Sequence, residues 1–347
     1  MTMLCARVRE HGGLDHLLLE QSEIPEPGPG EVRVRLKAAA LNHLDLWVRK
    51  GVSGHQFPLP LIPGCDGAGI VEAIGEGVSD THLDTEVVLA PGLSCGVCAR
   101  CAAGDDMLCS EYGILGETRD GTCAEAVVVP EAQLLARPAG ISWQECAAFP
   151  LSALTAWSML QKANLNRGET LLVIAGASGV GTMAIQMGVL LGARVFATGS
   201  TEAKRKLAED LGASETLDST DDEWWRSLKK LTSGSGADVI FENVGEATWQ
   251  SSLRSLASGG RIVTCGATSG SNVSIELKRL FFKNQQIIGS TMGRRQDLHR
   301  LLKLQQQNQL RSVIDSVHAL EDLHAAHQRM EQRESAGKIV IRIDPDC

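Results

Sequence analysis

Apolar and polar positions alternate in short segments through the first third of the chain, as at 31–36 and 124–129, and turn residues bound each segment. A period of two between such boundaries predicts half-buried β-strands. From about Glu169 the pattern changes. Apolar runs occupy 171–175, 194–198, 237–241, 261–265 and 286–291, with stretches of helical spacing between them. Strands that alternate with helices predict a parallel sheet covered on both faces, the doubly wound α/β arrangement. Beyond it, 313–317, a helical stretch around 321–331 and 338–343 resume a mixed pattern.

A chain of 347 residues exceeds one ordinary core and suits two domains. Its apolar runs are too short to span a bilayer. The first residues mix Arg7, Arg9, Glu10 and His11 with apolar ones, unlike the core of an export signal, so the expected location is cytoplasmic. The formal net charge of -9 opposes binding to a nucleic-acid backbone. Small molecules are the expected partners, with neither nucleic acid nor membrane. Ten cysteines in a reducing compartment read as thiols or metal ligands rather than disulfides.

The run at 171–175 leads directly into Gly176-Ala177-Ser178-Gly179-Val180-Gly181, followed by helical spacing over 182–191. Strand, glycine turn and helix in that order suit a dinucleotide: small residues admit the pyrophosphate, and the helix start turns its positive end toward it. The strict fingerprint has Gly where Ser178 stands. At the end of the next strand an NAD enzyme usually places a carboxylate for the ribose hydroxyls. Here Thr198-Gly199-Ser200-Thr201 leads instead to Lys204 and Arg205. Hydroxyls and cations suit the extra phosphate of NADPH; the competing reading makes both cations a solvated helix face.

Cys95-x-x-Cys98-x-x-Cys101, then Cys109, gather four thiols in one short segment. That spacing predicts a closed tetrahedral zinc site, one per chain, with no open position for substrate and hence a structural role.

Taken with Pro63-Gly64-Cys65-Asp66-Gly67, Leu154-Thr155-Ala156-Trp157 and Asn42-His43-Leu44-Asp45, these features resemble the medium-chain dehydrogenase/reductase superfamily, which holds the zinc alcohol dehydrogenases and the quinone oxidoreductases. The resemblance implies a Rossmann doubly wound parallel sheet domain (151–292) inserted in a GroES-like, mostly-β catalytic domain (1–150, completed by 293–347). It also implies cofactor contacts from Thr155, Asn243, Gly245, Gly266, Thr268 and Thr291, and a homodimer or homotetramer in which the strand at 286–291 is a sheet edge.

Alcohol dehydrogenases of the family hold a catalytic zinc through a Cys, a His followed by Glu, and a second Cys. This chain has Asn42, Cys65-Asp66 and a position near Leu151 there. Only Cys65 and Asp66 remain as ligand candidates, with His43 nearby, and a catalytic zinc needs three protein ligands. Without that Lewis acid an unactivated alcohol is a poor substrate, whereas a conjugated carbonyl spreads incoming charge onto its own oxygen. The expected activity is therefore NADPH-dependent reduction of a quinone or an α,β-unsaturated carbonyl compound. By resemblance Asn42 and Asp45 form the Asn-x-x-Asp pattern of quinone-oxidoreductase-like members, and Asn42 positions the reactants. His43 is a candidate proton donor, and Asp66 its possible orienting group. The alternatives are a zinc-dependent alcohol or aldehyde dehydrogenase and a non-enzymatic NADPH-bound scaffold.

Overall fold

The computed structural model describes residues 1–345. The chain divides into two compact units: Met1–Leu151 together with the segment from Arg294, and Ser152–Gly293. Among the described residues no helix is long and apolar enough to cross a membrane.

In chain order the strands are β1 (Thr2–Val8), β2 (Leu17–Glu23), β3 (Glu31–Ala40), β4 (Asp66–Ile74), β5 (Glu86–Leu89), β6 (Gly92–Leu93), β7 (Gly113–Ile114), β8 (Ala126–Pro130) and β9 (Leu134–Ala136). They continue with β10 (Thr170–Val173), β11 (Arg194–Gly199), β12 (Glu215–Asp218), β13 (Ala237–Glu242), β14 (Leu256–Thr264), β15 (Gln286–Gly289), β16 (Ile314–Ala319) and β17 (Lys338–Arg342). The helices are α1 (His43–Lys50), α2 (Ala99–Ala102), α3 (Trp143–Ala147), α4 (Pro150–Lys162), α5 (Gly179–Leu190) and α6 (Glu202–Asp210). After them come α7 (Trp224–Leu231), α8 (Glu246–Ser255), α9 (Leu277–Phe282), α10 (Arg295–Gln306) and α11 (Leu323–Glu331).

The first unit is mostly β. Its largest sheet runs β16-β17-β3-β4-β5-β9, with β8 on β3. Alternation along β3 buries Val32, Val34 and Leu36, which join Val71, Val87, Leu89, Val127 and Val129 in one core. A second core lies under the β1-β2 hairpin and includes Leu17, Leu41, Ile62, Leu323 and Ile341. Register matters most at the end of β3. Ala40 pairs with Val340 of β17 on one side and with Asp66 of β4 on the other, so residues just beyond Ala40 lie between the starts of both neighbouring strands.

The second unit is a six-stranded sheet in the order β12-β11-β10-β13-β14-β15, with every pairing parallel. The order reverses beside β10, and in such sheets ligands bind outside the carboxyl ends of the strands at that point. Leu172, Phe196, Ile240 and Ile262 fill its core with Trp224, Trp249 and Leu253 from the covering helices.

Several expected boundaries move by a few residues, and two of them shape the glycine motif. The strand predicted over 171–175 ends at Val173, because Ala175 turns into the left-handed region at φ 53° and breaks the ladder. The helix expected from 182 begins at Gly179, inside the glycine motif.

Candidate functional site

The turn after β10 explains why the motif tolerates a serine. Ser178 is the N-cap of α5, with ordinary extended geometry (φ -73°), and its Oγ accepts the backbone N–H of Gly181 at 3.1 Å. A capping hydroxyl stabilises a helix start by about 1 kcal/mol, and no glycine is required at that angle. Gly181 is required: a Cβ there would lie 2.4 Å from the carbonyl oxygen of Ala175, so α5 meets the turn closely enough only without a side chain. Asn243, after β13, donates from Nδ2 to the same Ser178 Oγ at 3.3 Å, which joins the turns on either side of the switch point.

The loop of Asn243, Val244 and Gly245 is held from below by Glu242, which is wholly buried. Its carboxylate accepts the N–H groups of Val244 (2.8 Å) and Gly245 (3.1 Å) and the hydroxyls of Thr248 (3.0 Å) and Ser252 (2.7 Å). Sequence reasoning missed Glu242. Gly266 and Thr268 follow β14, and Ser269 ties their loop back through its N–H to the carbonyl of Val244 at 2.8 Å. Thr155 is buried in α4, while Thr291 is exposed beyond β15. A helix N-terminus approached this closely, with two braced loops beside it, fits a nicotinamide dinucleotide: Gly176 through Gly181 would hold the pyrophosphate.

At the end of β11, Ser200 is exposed and Thr201 caps α6 by accepting the N–H of Lys204 at 3.2 Å. Lys204 and Arg205 sit in the first turn of α6. Arg205 is already engaged: it pairs with Asp218 at 2.9 Å and donates to the carbonyl of Gly199 at 3.2 Å. Asp218 lies in register with Gly199 on the neighbouring strand. It is a carboxylate that inspection of β11 alone overlooks, and hydrogen bonds from Thr220, then Arg205, hold it below the ordinary carboxylate value.

In the first unit Cys95, Cys98, Cys101 and Cys109 have all four sulfurs within 4.8 Å of one another. Cys98 and Cys101 are 3.5 Å apart, Cys95 and Cys109 3.5 Å, and Cys95 and Cys101 3.9 Å. Four sulfurs at Zn–S bond length around a tetrahedral zinc would be about 3.8 Å apart. The cluster fits zinc and leaves no ligand position open. Cys98 precedes α2 and Cys101 lies within it, so one short helical turn aims two of the thiols.

The other expected group gathers at the end of β3. Asn42 is 9% exposed, Asp45 1%, and Cys65 and Asp66 0%. Nδ2 of Asn42 donates to Oδ2 of Asp66 at 2.9 Å and to Sγ of Cys65 at 3.2 Å. Oδ1 of Asp66 accepts the N–H of Leu151 at 2.9 Å. All the positions at which the family's catalytic ligands fall therefore converge. Among them sits a residue that the sequence reading did not single out. Lys338, 4% exposed, donates from Nζ to Oδ1 of Asn42 at 2.6 Å and to Oδ2 of Asp66 at 2.9 Å. An ammonium group only donates, so it fixes the amide orientation: oxygen toward Lys338, nitrogen toward Asp66.

These contacts do not fit a catalytic zinc. Oδ2 of Asp66 accepts from Asn42 and Lys338, its Oδ1 accepts from Leu151, and Oδ1 of Asn42 accepts from Lys338; a catalytic zinc needs three protein ligands, and only Cys65 and Asp66 here are of ligand type. Among the described residues the four-thiol lobe is the one cluster of three or more candidate metal ligands.

Asp45 braces the backbone. Its carboxylate accepts the N–H of Asn42 at 2.7 Å and of Gly64 at 2.9 Å, which fixes the start of α1 against the turn before β4. Gly64 needs its freedom, with φ at 101° and Thr122 and Cys123 where a Cβ would point. Burial raises the Asp45 carboxyl to about 6 against those two hydrogen bonds. His43, first in α1, is exposed. The protein packed around it, then Arg333, Lys338 and Lys50, hold its imidazole below the ordinary 6.5. It is mainly neutral at pH 7 and so a weak general acid. Tyr112 is half-buried with its hydroxyl enclosed, and burial, then Asp106, Glu117 and Cys65, raise its phenol.

Comparison with known proteins agrees with this architecture. The alcohol dehydrogenase GroES-like domain matches residues 28–139, and the zinc-binding dehydrogenase domain matches 179–307. Over 344 residues the chain is 32% identical to a zinc-type alcohol dehydrogenase-like protein of Schizosaccharomyces pombe, covering 96% of this chain and 97% of the relative. It is 30% identical over 344 residues to a quinone oxidoreductase of Pseudomonas aeruginosa, covering 95% and 97%. The crystal structure of an NAD-dependent alcohol dehydrogenase superposes with a TM-score of 0.95 at 44% identity, covering 99% of this chain and 100% of that one. With both domain matches in this order and likeness over almost its full length, the chain belongs to the medium-chain dehydrogenase/reductase superfamily and is an oxidoreductase of that family.

Proposed function

We propose that the protein is an NADPH-dependent reductase of quinones or α,β-unsaturated carbonyl compounds. The observation that carries this reading is the pairing of Asp66 with Lys338 and Asn42 where alcohol dehydrogenases of the family hold zinc. An alcohol must lose a proton as it loses hydride, and without a metal the resulting alkoxide has no Lewis acid. A conjugated acceptor needs none: its carbonyl oxygen takes the electron pair as hydride reaches the β carbon, and solvent then protonates the α carbon. When bound, the nicotinamide supplies that hydride. The chain binds the pyrophosphate at the start of α5, braces the loop of Asn243 to Gly245 through Glu242, and presents the fixed carboxamide of Asn42. NADPH is favoured by Ser200, Lys204 and Arg205 and by the lack of a carboxylate at the end of β11 itself.

The test is NADPH oxidation against enals, enones, enoyl thioesters, quinones and aldehydes. Cofactor deuterated at C4 should place its label on the carbon β to the carbonyl, and Asn42→Ala should lower kcat about tenfold or more. Oxidation of ethanol or butanol that depends on a second removable zinc would overturn the reading in favour of an alcohol dehydrogenase.

A further inference from the structure

Reduction of a conjugated carbonyl consumes a proton as well as a hydride, and the groups at the end of β3 are poor sources of one. Lys338 donates to Asn42 and Asp66, and the Asp45 carboxylate accepts two backbone N–H groups. Burial pushes the Cys65 thiol well above its ordinary value, while the His43 imidazole is held below its own. A thiol that keeps its proton and an imidazole that lacks one are both weak acids at neutral pH. That leaves the segments packed on the centre.

The segment 113–121 is pressed onto the turn before Cys65. The N–H groups of Gly121, Thr122 and Cys123 donate to the carbonyls of Ile62, Gly64 and Pro63 at 2.8 to 2.9 Å. A Cβ on Gly116 would lie 2.5 Å from the backbone nitrogen of Gly64, and one on Gly121 would lie 2.0 Å from its carbonyl oxygen. Two residues without side chains thus let one backbone reach the other. Ile114 and Leu115 pack in the same core as Cys65, Leu44 and Leu151. Glu117 follows directly, so the contact of Gly116 with Gly64 carries a carboxyl to the edge of the centre.

The surroundings of Glu117 suit a proton donor. Its side chain is 17% exposed, and burial pushes its carboxyl above the ordinary carboxylate value against the charge of His55. Such a group holds its proton closer to neutral pH. Nε2 of His55 lies 3.6 Å from Oε1 of Glu117, and the imidazole is 46% exposed. Phe57 steadies that ring, with centroids 4.4 Å apart, and meets His11 at 5.5 Å. Nδ1 of His11 is in turn 2.9 Å from the carbonyl of Val48 in α1. An exposed imidazole and a shielded carboxyl therefore follow one another inward from solvent, on segments tied to α1 and to the turn before Cys65.

We propose that Glu117 is the proton donor of the reduction and that His55 recharges it from solvent. As hydride reaches the β carbon, the electron pair of the double bond moves onto the carbonyl oxygen. The O–H bond of Glu117 then breaks as a C–H bond forms at the α carbon, or as an O–H bond forms where the acceptor is a quinone. The carboxylate regains its proton from protonated His55, which takes another from water. This rests on the reductase reading above, whose solvent proton it routes through two side chains.

The test uses the full chain in D2O with an α-substituted enal or enone that it reduces. The parent protein should place deuterium on one face of the α carbon. Glu117→Gln should lower kcat about tenfold or more, change KM less than about threefold and scramble that face. Glu117→Asp should recover part of the rate, and added imidazole should restore what His55→Ala loses. An unchanged kcat with labelling still on one face in Glu117→Gln would overturn the proposal. Infrared titration reads the carboxyl without any substrate: a protonated-carboxyl band present in the parent above the ordinary carboxylate range should be missing from Glu117→Gln, and identical titrations would also overturn it. Alcohol oxidation slowed tenfold by Glu117→Gln would refute the reductase reading and leave the relay, whereas alcohol oxidation indifferent to that change would refute both.

Discussion

A carboxylate oxygen of Asp106 accepts the backbone N–H of Arg295 at 3.1 Å, so the loop that carries the four thiols also caps the first turn of α10. Next to it Arg294 pairs with Asp105 at 2.7 Å. Binding of a structural zinc is coupled to folding, and here the order it imposes extends to the segment where the chain re-enters the first unit. Chelation, or Cys101→Ala, should lower the apparent Tm by about 5 °C or more and speed amide hydrogen exchange at Arg295. Unchanged exchange at that amide would separate the lobe from α10, and protein purified without chelators that carries no zinc would refute the site itself.

Cofactor preference should depend on Lys204. If it meets the extra phosphate of NADPH, Lys204→Ala should raise the KM for NADPH about tenfold, the loss of roughly one charge-assisted hydrogen bond, and leave that for NADH nearly unchanged. Equal losses for both cofactors would make the lysine a general helix-surface charge.

Acid should destabilise the protein through His327. Both of its ring nitrogens are buried without hydrogen-bond partners, and burial, then the charges of Arg49 and His324, push it from 6.5 to about 3 despite Glu331. The folded state thus binds this proton less readily than the unfolded chain. Its contribution is complete above about pH 6.5 and falls by about 1.4 kcal/mol per pH unit as the pH drops toward 3. His327→Leu, which removes the titrating group, should flatten the fall of Tm over that window; an unaltered slope would assign the acid sensitivity elsewhere.

Assembly should use the free side of β15. That strand ends the six-stranded sheet, and beside it in sequence Leu277, Phe281 and Phe282 are 67%, 60% and 77% exposed. An open strand edge with apolar neighbours favours pairing with a second copy. Light scattering at micromolar concentration should give a dimer or tetramer, and Phe282→Glu should shift it toward monomer. A monomeric parent protein would contradict this.

The fold was largely legible because each unit writes its own period: two along β3, and apolar runs between helices from β10 to β15. The thiol lobe was legible because its ligands are local in sequence. What escaped lies in long-range register and charge. Lys338 is separated from Asn42 by almost the whole chain, and only the joint pairing of β17, β3 and β4 brings them together. Asp218 was missed for a related reason: it lies on the strand beside the one where an acid is usually sought. Asp45 fitted a family pattern, but its two backbone hydrogen bonds make it a brace of the turn. Glu242 reads as one more polar residue at a strand end until its four donors are seen.

At the exit of the second unit, a Cβ on Gly293 would lie 3.0 Å from both the carbonyl oxygen and Cδ1 of Leu154. The last residue of the unit thus touches its third, and 152–293 begins and ends at one spot. Such a segment is a cassette: it can be lifted out of a host polypeptide by two cuts that lie side by side, or set into one at a single cut, without rethreading either core. The glycine, where a side chain would press on Leu154, lets the outgoing and returning segments of the junction pass so closely.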